Sequence, residues 1–544
     1  MRCVAIADDL NLVGQAPAVF KAFDRFEKKL QSGTGLILQK AKCALLWPRP
    51  TLPESVRAEA NKRGLVCRVG TMEALGGLVG CGDDAFNLWL QDYIDGFQPY
   101  FDMLLHPELP VQVMMLLLRL SAIPKIGYLT RVTPPRLLEA HAKRFDIMVL
   151  NTFLQKCALP NPLSNVAKYT ISLPVRLGGL GLRSAATISI PAYYCSVALA
   201  ASDIIEYIIP VARHIDFISP GKSQAAFITE LDRCWKFLSD KGVAKGLDGL
   251  IPLTSDEFWK EGGGVVDIGR SRQSVMVGFL AACEAKSHLY APATPLRERQ
   301  RLISSSASNA SAWLTVIPYS PELSLSDDDY ILAIRHRLGL PSADGLPMKC
   351  AHPCNATLTS DASHFHSCQQ QKRTSITARH DLIVRTLAKL FRQVGAVVHI
   401  EPRIYGSERL RPDMDITFPD RTLMLDVAVT HPASPSRTSS TPLAAAAYTE
   451  KAKYTKYTAL AARQAATFLP FVLESYGAFG KRANEVLRIL RKAAKNTLLA
   501  LSSELTVDSF AAHAARTLSV ALQKGNALIG RRGATMARAA VERR

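Results

Sequence analysis

The stretch from Arg411 to Thr430 constrains the chain more than any other. Two runs with strand-like alternation, Arg411 to Phe418 and Thr422 to Thr430, flank a Pro419-Asp420 turn, so a hairpin is the simplest connection. With a two-residue turn Phe418 faces Arg421, and the register places Asp413 opposite Asp426. Met414, Ile416 and Phe418 then share one apolar face with Leu425, Val427 and Val429, while Asp413, Asp415 and Asp426 gather on the other. Carboxylates placed opposite one another destabilise a sheet unless a cation lies between them. Hard oxygen donors suit Mg²⁺ or Mn²⁺, which can polarise a phosphodiester and acidify a bound water, so the pattern points to hydrolytic nuclease chemistry.

The flanks of the hairpin add to this. Arg379-His380-Asp381 opens a helix whose apolar stripe runs through Ile383, Leu387, Leu390, Phe391 and Val394. His380 is a secondary candidate, because a lone histidine at a helix start more often caps or bonds locally. Lys453 and Lys456 stand three apart on a helical pattern and can point the same way, and either can orient water or offset charge at a scissile phosphate. Arg411-Pro412-Asp413, then Asp426 after twelve intervening residues, then Lys453-x2-Lys456-Tyr457, resembles the PD-(D/E)xK core of restriction-like endonucleases in non-LTR retrotransposons. Asp426 stands where many such enzymes have Glu, and Phe468 to Gly477 is similar to the segment that follows. The resemblance implies catalytic Asp413, Asp426 and Lys453 or Lys456, with Mg²⁺ or Mn²⁺ on the two aspartates. It also implies an enzyme that nicks target DNA to supply a 3′ hydroxyl for target-primed reverse transcription.

Just upstream, Cys350-x3-Cys354-x9-His364-x3-Cys368 places four soft or borderline ligands within nineteen residues. Such a set can wrap one Zn²⁺ tetrahedrally in a closed structural site, with His352 and His366 as alternative ligands. Three incidental thiols in a polar loop are the structural alternative. In the retroelements that carry a restriction-like endonuclease, a Cys-Cys-His-Cys cluster sits in this position, and the resemblance favours zinc.

At the N-terminus, Ala7-Asp8-Asp9 lies between apolar strand-like segments. Read alone it is an Asp-rich turn capping the next element. Read with Gly35 to Cys43 and Leu75 to Gly80 it resembles, in order, three motifs of a reverse-transcriptase palm, in which Asp8 and Asp9 would hold Mg²⁺ for RNA-directed DNA polymerisation. That family places a further metal-binding aspartate and the template grip well before the double-Asp hairpin, so the expectation is a partial palm that does not polymerise. Similarity to non-LTR polyproteins continues through Leu109 to Gln112, Tyr128 to Arg131 and Leu173 to Leu182.

At 544 residues, with 48% apolar and 21% charged, the chain has room for two to four folded domains. The expected architecture is α/β and α multi-domain: a palm remnant over 1–84, a helical thumb or connector over 85–345, a zinc-binding segment over 346–371, a restriction-like endonuclease over 372–490 and a helical basic tail over 491–544. A flexible joint is expected between 300 and 328, and disorder from Arg531 onward. The 66 Lys and Arg against 47 Asp and Glu give +19, which favours polyanions, and DNA together with the element's RNA are the expected partners. No small-molecule substrate beyond nucleotides is expected.

Arg119 ends the apolar run Val113 to Leu118 far short of a membrane span, and Met1-Arg2-Cys3 begins no secretory leader, so an intracellular, nuclear protein without a membrane partner is expected. Eleven cysteines, eight of them scattered singly, fit a reducing compartment. The contrasting expectation is a catalytically silent nucleic-acid-binding remnant, distinguished by metal-independent binding without cleavage.

Overall fold

A computed structural model describes residues 2–6, 9–80, 82–203, 226–242, 271–350, 356–358, 363–402, 410–434, 439, 441–498 and 507–542. Its N-terminal part is a set of small α/β pieces. Strands β1 (Arg2–Ile6) and β2 (Asp9–Val13) pair antiparallel, β3 (Ala44–Trp47) pairs in parallel with β4 (Val66–Val69), and β5 (Thr71–Ala74) forms a hairpin with β6 (Gly77–Gly80). Helices α1 (Ala16–Thr34) and α2 (Glu54–Lys62) pack on the β3–β4 pair around Phe20, Ala60 and Leu65.

The described residues between 83 and 338 are mainly helical. Helix α3 (Pro135–Lys156) starts with proline at its first position and presents Leu138, Ala142, Phe145, Val149 and Phe153, at helical spacing, to a core that includes Leu90, Phe101, Met114, Met115, Trp313 and Tyr330. Arg119 does not stop the apolar run. Helical backbone continues through it, and Val111–Val132, with mean hydropathy 1.4, is long and apolar enough to cross a membrane. In this fold its Val111, Met114, Met115, Leu118, Ala122 and Leu129 line the helical core, and Arg119 Nη1 donates to the Leu314 carbonyl at 2.6 Å. Helix α4 (Asp327–Leu338) is capped by Ser326, whose hydroxyl accepts from Asp329 N, and it ends at Gly339 with φ 72°.

The expected flexible joint over 300–328 is instead packed. Ser304 donates to Glu474 Oε2 at 2.6 Å, Asn309 donates to Asn484 at 2.8 Å, and Trp313 and Leu314 are buried. Small side chains there permit close approach, and their polar atoms find partners across the contact rather than in solvent.

The last third holds a four-stranded mixed sheet in the order β10-β9-β8-β7, from β7 (Val397–Ile400), β8 (Met414–Phe418), β9 (Arg421–Thr430) and β10 (Ala466–Glu474). Phe418 pairs with Arg421 and Met414 with Leu425, the register expected from a two-residue turn. Strand β10 runs parallel to β9, which requires the crossover made by helix α6 (Ala444–Arg463). One face of the sheet packs Met414, Ile416, Leu425, Val427 and Phe471 against α5 (Thr377–Gln393), α7 (Lys481–Leu498) and α8 (Val507–Glu542). The other face packs Met424 and Phe468 against Tyr457, Leu460 and Ala461 of α6.

Helix α8 is no disordered tail. Phe510, Leu518 and Leu522 enter the core under the sheet, Val520 joins the helical core, and Ile529 and Ala537 pack with Phe365 of the Cys/His segment. Glycines let it nest: a Cβ on Gly525 would stand 2.3 Å from Arg379 Cγ, and one on Gly533 would stand 2.4 Å from the Phe365 ring. Two arginines beyond 530 also find partners, since Arg531 pairs with Asp329 and Arg538 donates to the Asp344 carbonyl at 2.7 Å.

Candidate functional site

Two strands bring the predicted carboxylates together. Asp413 precedes β8 by one residue, and continuing the Met414–Leu425 pairing sets it opposite Asp426 of β9. Asp415, also buried, pairs with Met424 and so faces the same side as Asp426. Asp413 Oδ2 accepts from Val427 N at 2.6 Å and lies 3.1 Å from His380 Nε2 on α5.

Asp426 is 3% exposed, and Lys453 of α6 forms an ion pair with its Oδ2. Burial raises the Asp426 carboxyl above its usual range, and the negative charge of Asp413 adds to the rise; Lys453 opposes both without cancelling them. A carboxylate held this way is a site where a cation lowers the electrostatic cost, and the oxygen donors of Asp413 and Asp426 fit a hard divalent ion.

The two lysines separate. Lys453 reaches Asp426, whereas Lys456 donates to the Tyr457 hydroxyl at 3.0 Å and sits 4.6 Å above that ring. The Tyr457 hydroxyl in turn donates to the Arg411 carbonyl at 2.9 Å, tying α6 to the segment that carries Asp413. Burial and the nearby Asp426 charge raise the Tyr457 hydroxyl, which therefore stays protonated as a donor.

His380 lies between two carboxylates, its Nδ1 being 3.1 Å from Asp381 Oδ1. Burial alone would lower it, but the hydrogen bond and charge of Asp413, followed by those of Asp381, raise it to about 9. Ionised carboxylates only accept, so both ring nitrogens carry protons.

The second site is the buried group Cys350, His364 and Cys368, whose ligand atoms all lie within 4.8 Å of one another. Two thiols and an imidazole converging in this way can hold a metal ion, and the donors suit Zn²⁺. Cys354 and His352 lie outside the described residues. His366 is not in the group. It stacks instead on His336 of α4, with ring centroids 4.1 Å apart, and faces Arg379 Nη1 at 3.4 Å.

Sequence reasoning missed this second cluster. His431, which follows β9, bonds Ser475 Oγ at 2.7 Å and Ser363 Oγ at 3.0 Å, and Tyr476 stacks on His336 at 4.5 Å. Burial lowers all three histidines, His336 to about 3, so they are neutral. No local spacing announces the cluster, because its members come from four separate segments.

Asp9 pairs with Ile6 in the β1–β2 hairpin, but Asp8 and the side chain of Asp9 lie outside the described residues.

No family model matches the chain. Over 207 residues, 36% of its length, it is 27% identical to the retrotransposable element SLACS 132 kDa protein of Trypanosoma brucei gambiense. The matched stretch spans 16% of that protein, so the similarity is distant and partial. At that level the chain is related to a protein of a retrotransposable element.

Proposed function

We propose that the sheet formed by β7 to β10, with α5 and α6, is a metal-dependent DNA endonuclease in a protein derived from a non-LTR retrotransposon, and that it nicks target DNA for target-primed reverse transcription. The observation that carries this is the meeting of Asp413, just before β8, with Asp426 of β9 and Lys453 of the crossover helix at one end of the β8–β9 hairpin. Asp413 and Asp426 would hold Mg²⁺ or Mn²⁺, which when bound polarises the phosphodiester and acidifies a water. Lys453, whose side chain is 27% exposed, is placed to offset charge that develops on the phosphate once a cation relieves it of Asp426. Lys456 is directed instead to Tyr457, whose hydroxyl ties α6 to the Arg411 segment. DNA and the element's RNA are the partners that the +19 charge suits. Zn²⁺ on Cys350, His364 and Cys368, completed by Cys354, fastens the preceding segment.

The full chain is expected to nick supercoiled plasmid in Mg²⁺ or Mn²⁺ and not in chelator. Asp426→Asn brings nicking to background while plasmid binding persists, because phosphate contacts dominate affinity. Lys453→Ala slows nicking by about 10²-fold, the scale of losing one stabilising group, and Lys456→Ala far less. Nicking by Asp426→Asn at the parent rate rejects the site. Plasmid binding without cleavage in either metal supports the silent binding protein instead.

A further inference from the structure

His380 is the one side chain from α5 that reaches the carboxylate pair among the described residues, and the endonuclease reading gives it no role. A helix-capping role does not account for it. It stands on the fourth residue of α5, helical backbone of the preceding turn runs into that helix, and both ring nitrogens face carboxylates rather than backbone. Its neighbour Arg379 is 2% exposed and bonds Asn526 Oδ1 of α8 at 2.9 Å, which fixes the rotation of α5 and with it the direction of the His380 ring.

The geometry at Asp413 is one-sided. Among the described residues its two hydrogen bonds, from Val427 N and His380 Nε2, both fall on Oδ2. Its backbone is held as well, because Glu401 N donates to the Asp413 carbonyl at 2.9 Å. A carboxylate with two donors on one oxygen has its plane set, and the other oxygen is left to a different ligand.

We propose that His380, anchored by Asp381, is a positioning residue that clamps Oδ2 of Asp413 so that Oδ1 is presented to a divalent cation shared with Asp426. This rests on the endonuclease reading for its purpose but is tested by metal binding, which needs no cleavage. Outer partners of metal-bound groups change affinity by about 10- to 100-fold when removed, and that is the effect expected here.

The experiment is Mn²⁺ titration of the zinc-loaded full chain without DNA, followed by the electron paramagnetic resonance of free Mn²⁺, beside plasmid nicking as a function of Mn²⁺. Asp426→Asn defines the background from other sites. His380→Ala is expected to weaken the Asp426-dependent Mn²⁺ site by about 10-fold or more, and to raise the Mn²⁺ needed for half-maximal nicking while leaving the rate at saturating Mn²⁺ much closer to the parent's. His380→Gln, which returns an N–H donor at comparable reach, should recover most of the affinity, whereas His380→Leu, which returns volume without a donor, should not; equal recovery by both would mean a purely packing role. Equal Mn²⁺ affinity in His380→Ala and the parent overturns the proposal, as does a parent with no Asp426-dependent Mn²⁺ site. If Mn²⁺ binding follows the expected order but no variant nicks, the positioning role stands and the endonuclease reading fails.

Discussion

The N-terminal α/β pieces and the C-terminal sheet are both built from short strands, yet they differ in what those strands bury. β3 to β6 pair only two by two and leave Val66, Val69 and Val79 exposed, beside Leu36 and Ile37. β8, β9 and β10 bury side chains on both faces because helices cover each side. Two-stranded pairs have little independent stability, whereas a covered four-stranded sheet can hold like charges close together. Packing on both sides is what fixes the approach of Asp413 to Asp426. In the C-terminal module the cost of burying Asp426 is met by the cores around it.

Three experiments press on that contrast. The largest effect is expected from Phe471→Ala, which empties a fully buried position beneath the sheet at a cost of about 3–5 kcal/mol. Hydrogen exchange read by mass spectrometry should show β8 to β10 losing protection while α1 and α2 keep theirs, and a uniform loss would mean that the two regions are not separate in stability.

Next comes pH. His336 is held near 3 by burial, below the 6.5 of an exposed histidine, so the unfolded chain binds the proton more tightly. That contribution to stability is complete above pH 6.5 and is lost progressively as pH falls toward 3. Residues 1–80 contain no histidine, and Arg63 holds Glu59 down near 2. Acidification from pH 7 to 5 of zinc-loaded protein should therefore loosen the segments around His336 before α1 and α2. Simultaneous loosening would break the distinction.

The smallest effect concerns salt. Arg63 joins Asp24 at 2.7 Å and Glu59 at 2.7 Å across α1 and α2, with both carboxylates at least 40% exposed. Such pairs are screened, so Arg63→Ala should cost about 1 kcal/mol or less. The loss should shrink further in 1 M NaCl, with β8 to β10 unaffected at either ionic strength.

Much of the C-terminal module was legible because its signals are local. Period-two alternation around Pro419-Asp420 determined the β8–β9 register, and the stripe Ile383, Leu387, Leu390 and Phe391 is the buried face of α5, with Val394 buried just past its end. Cys350, His364 and Cys368 converge as their spacing suggested. What could not be read joins distant segments: the parallel pairing of β10, the different partners of Lys453 and Lys456, and the stacked histidines. The Ser-rich stretch near 304 and the residues beyond Arg531 have the composition of solvated chain, but their surroundings supply the partners that composition alone would assign to water.

Helix α8 has a consequence for biosynthesis. It follows its packing partners in the chain, yet Leu518, Val520 and Ile529 complete three different hydrophobic clusters. While a ribosome is still making it, the sheet, the Cys/His segment and the helical body each expose the surface that it will cover. A nascent chain paused before residue 507 would hold that surface open, available to chaperones or to aggregation. The carboxylate pair would thus gain its full support only after α8 has emerged and docked.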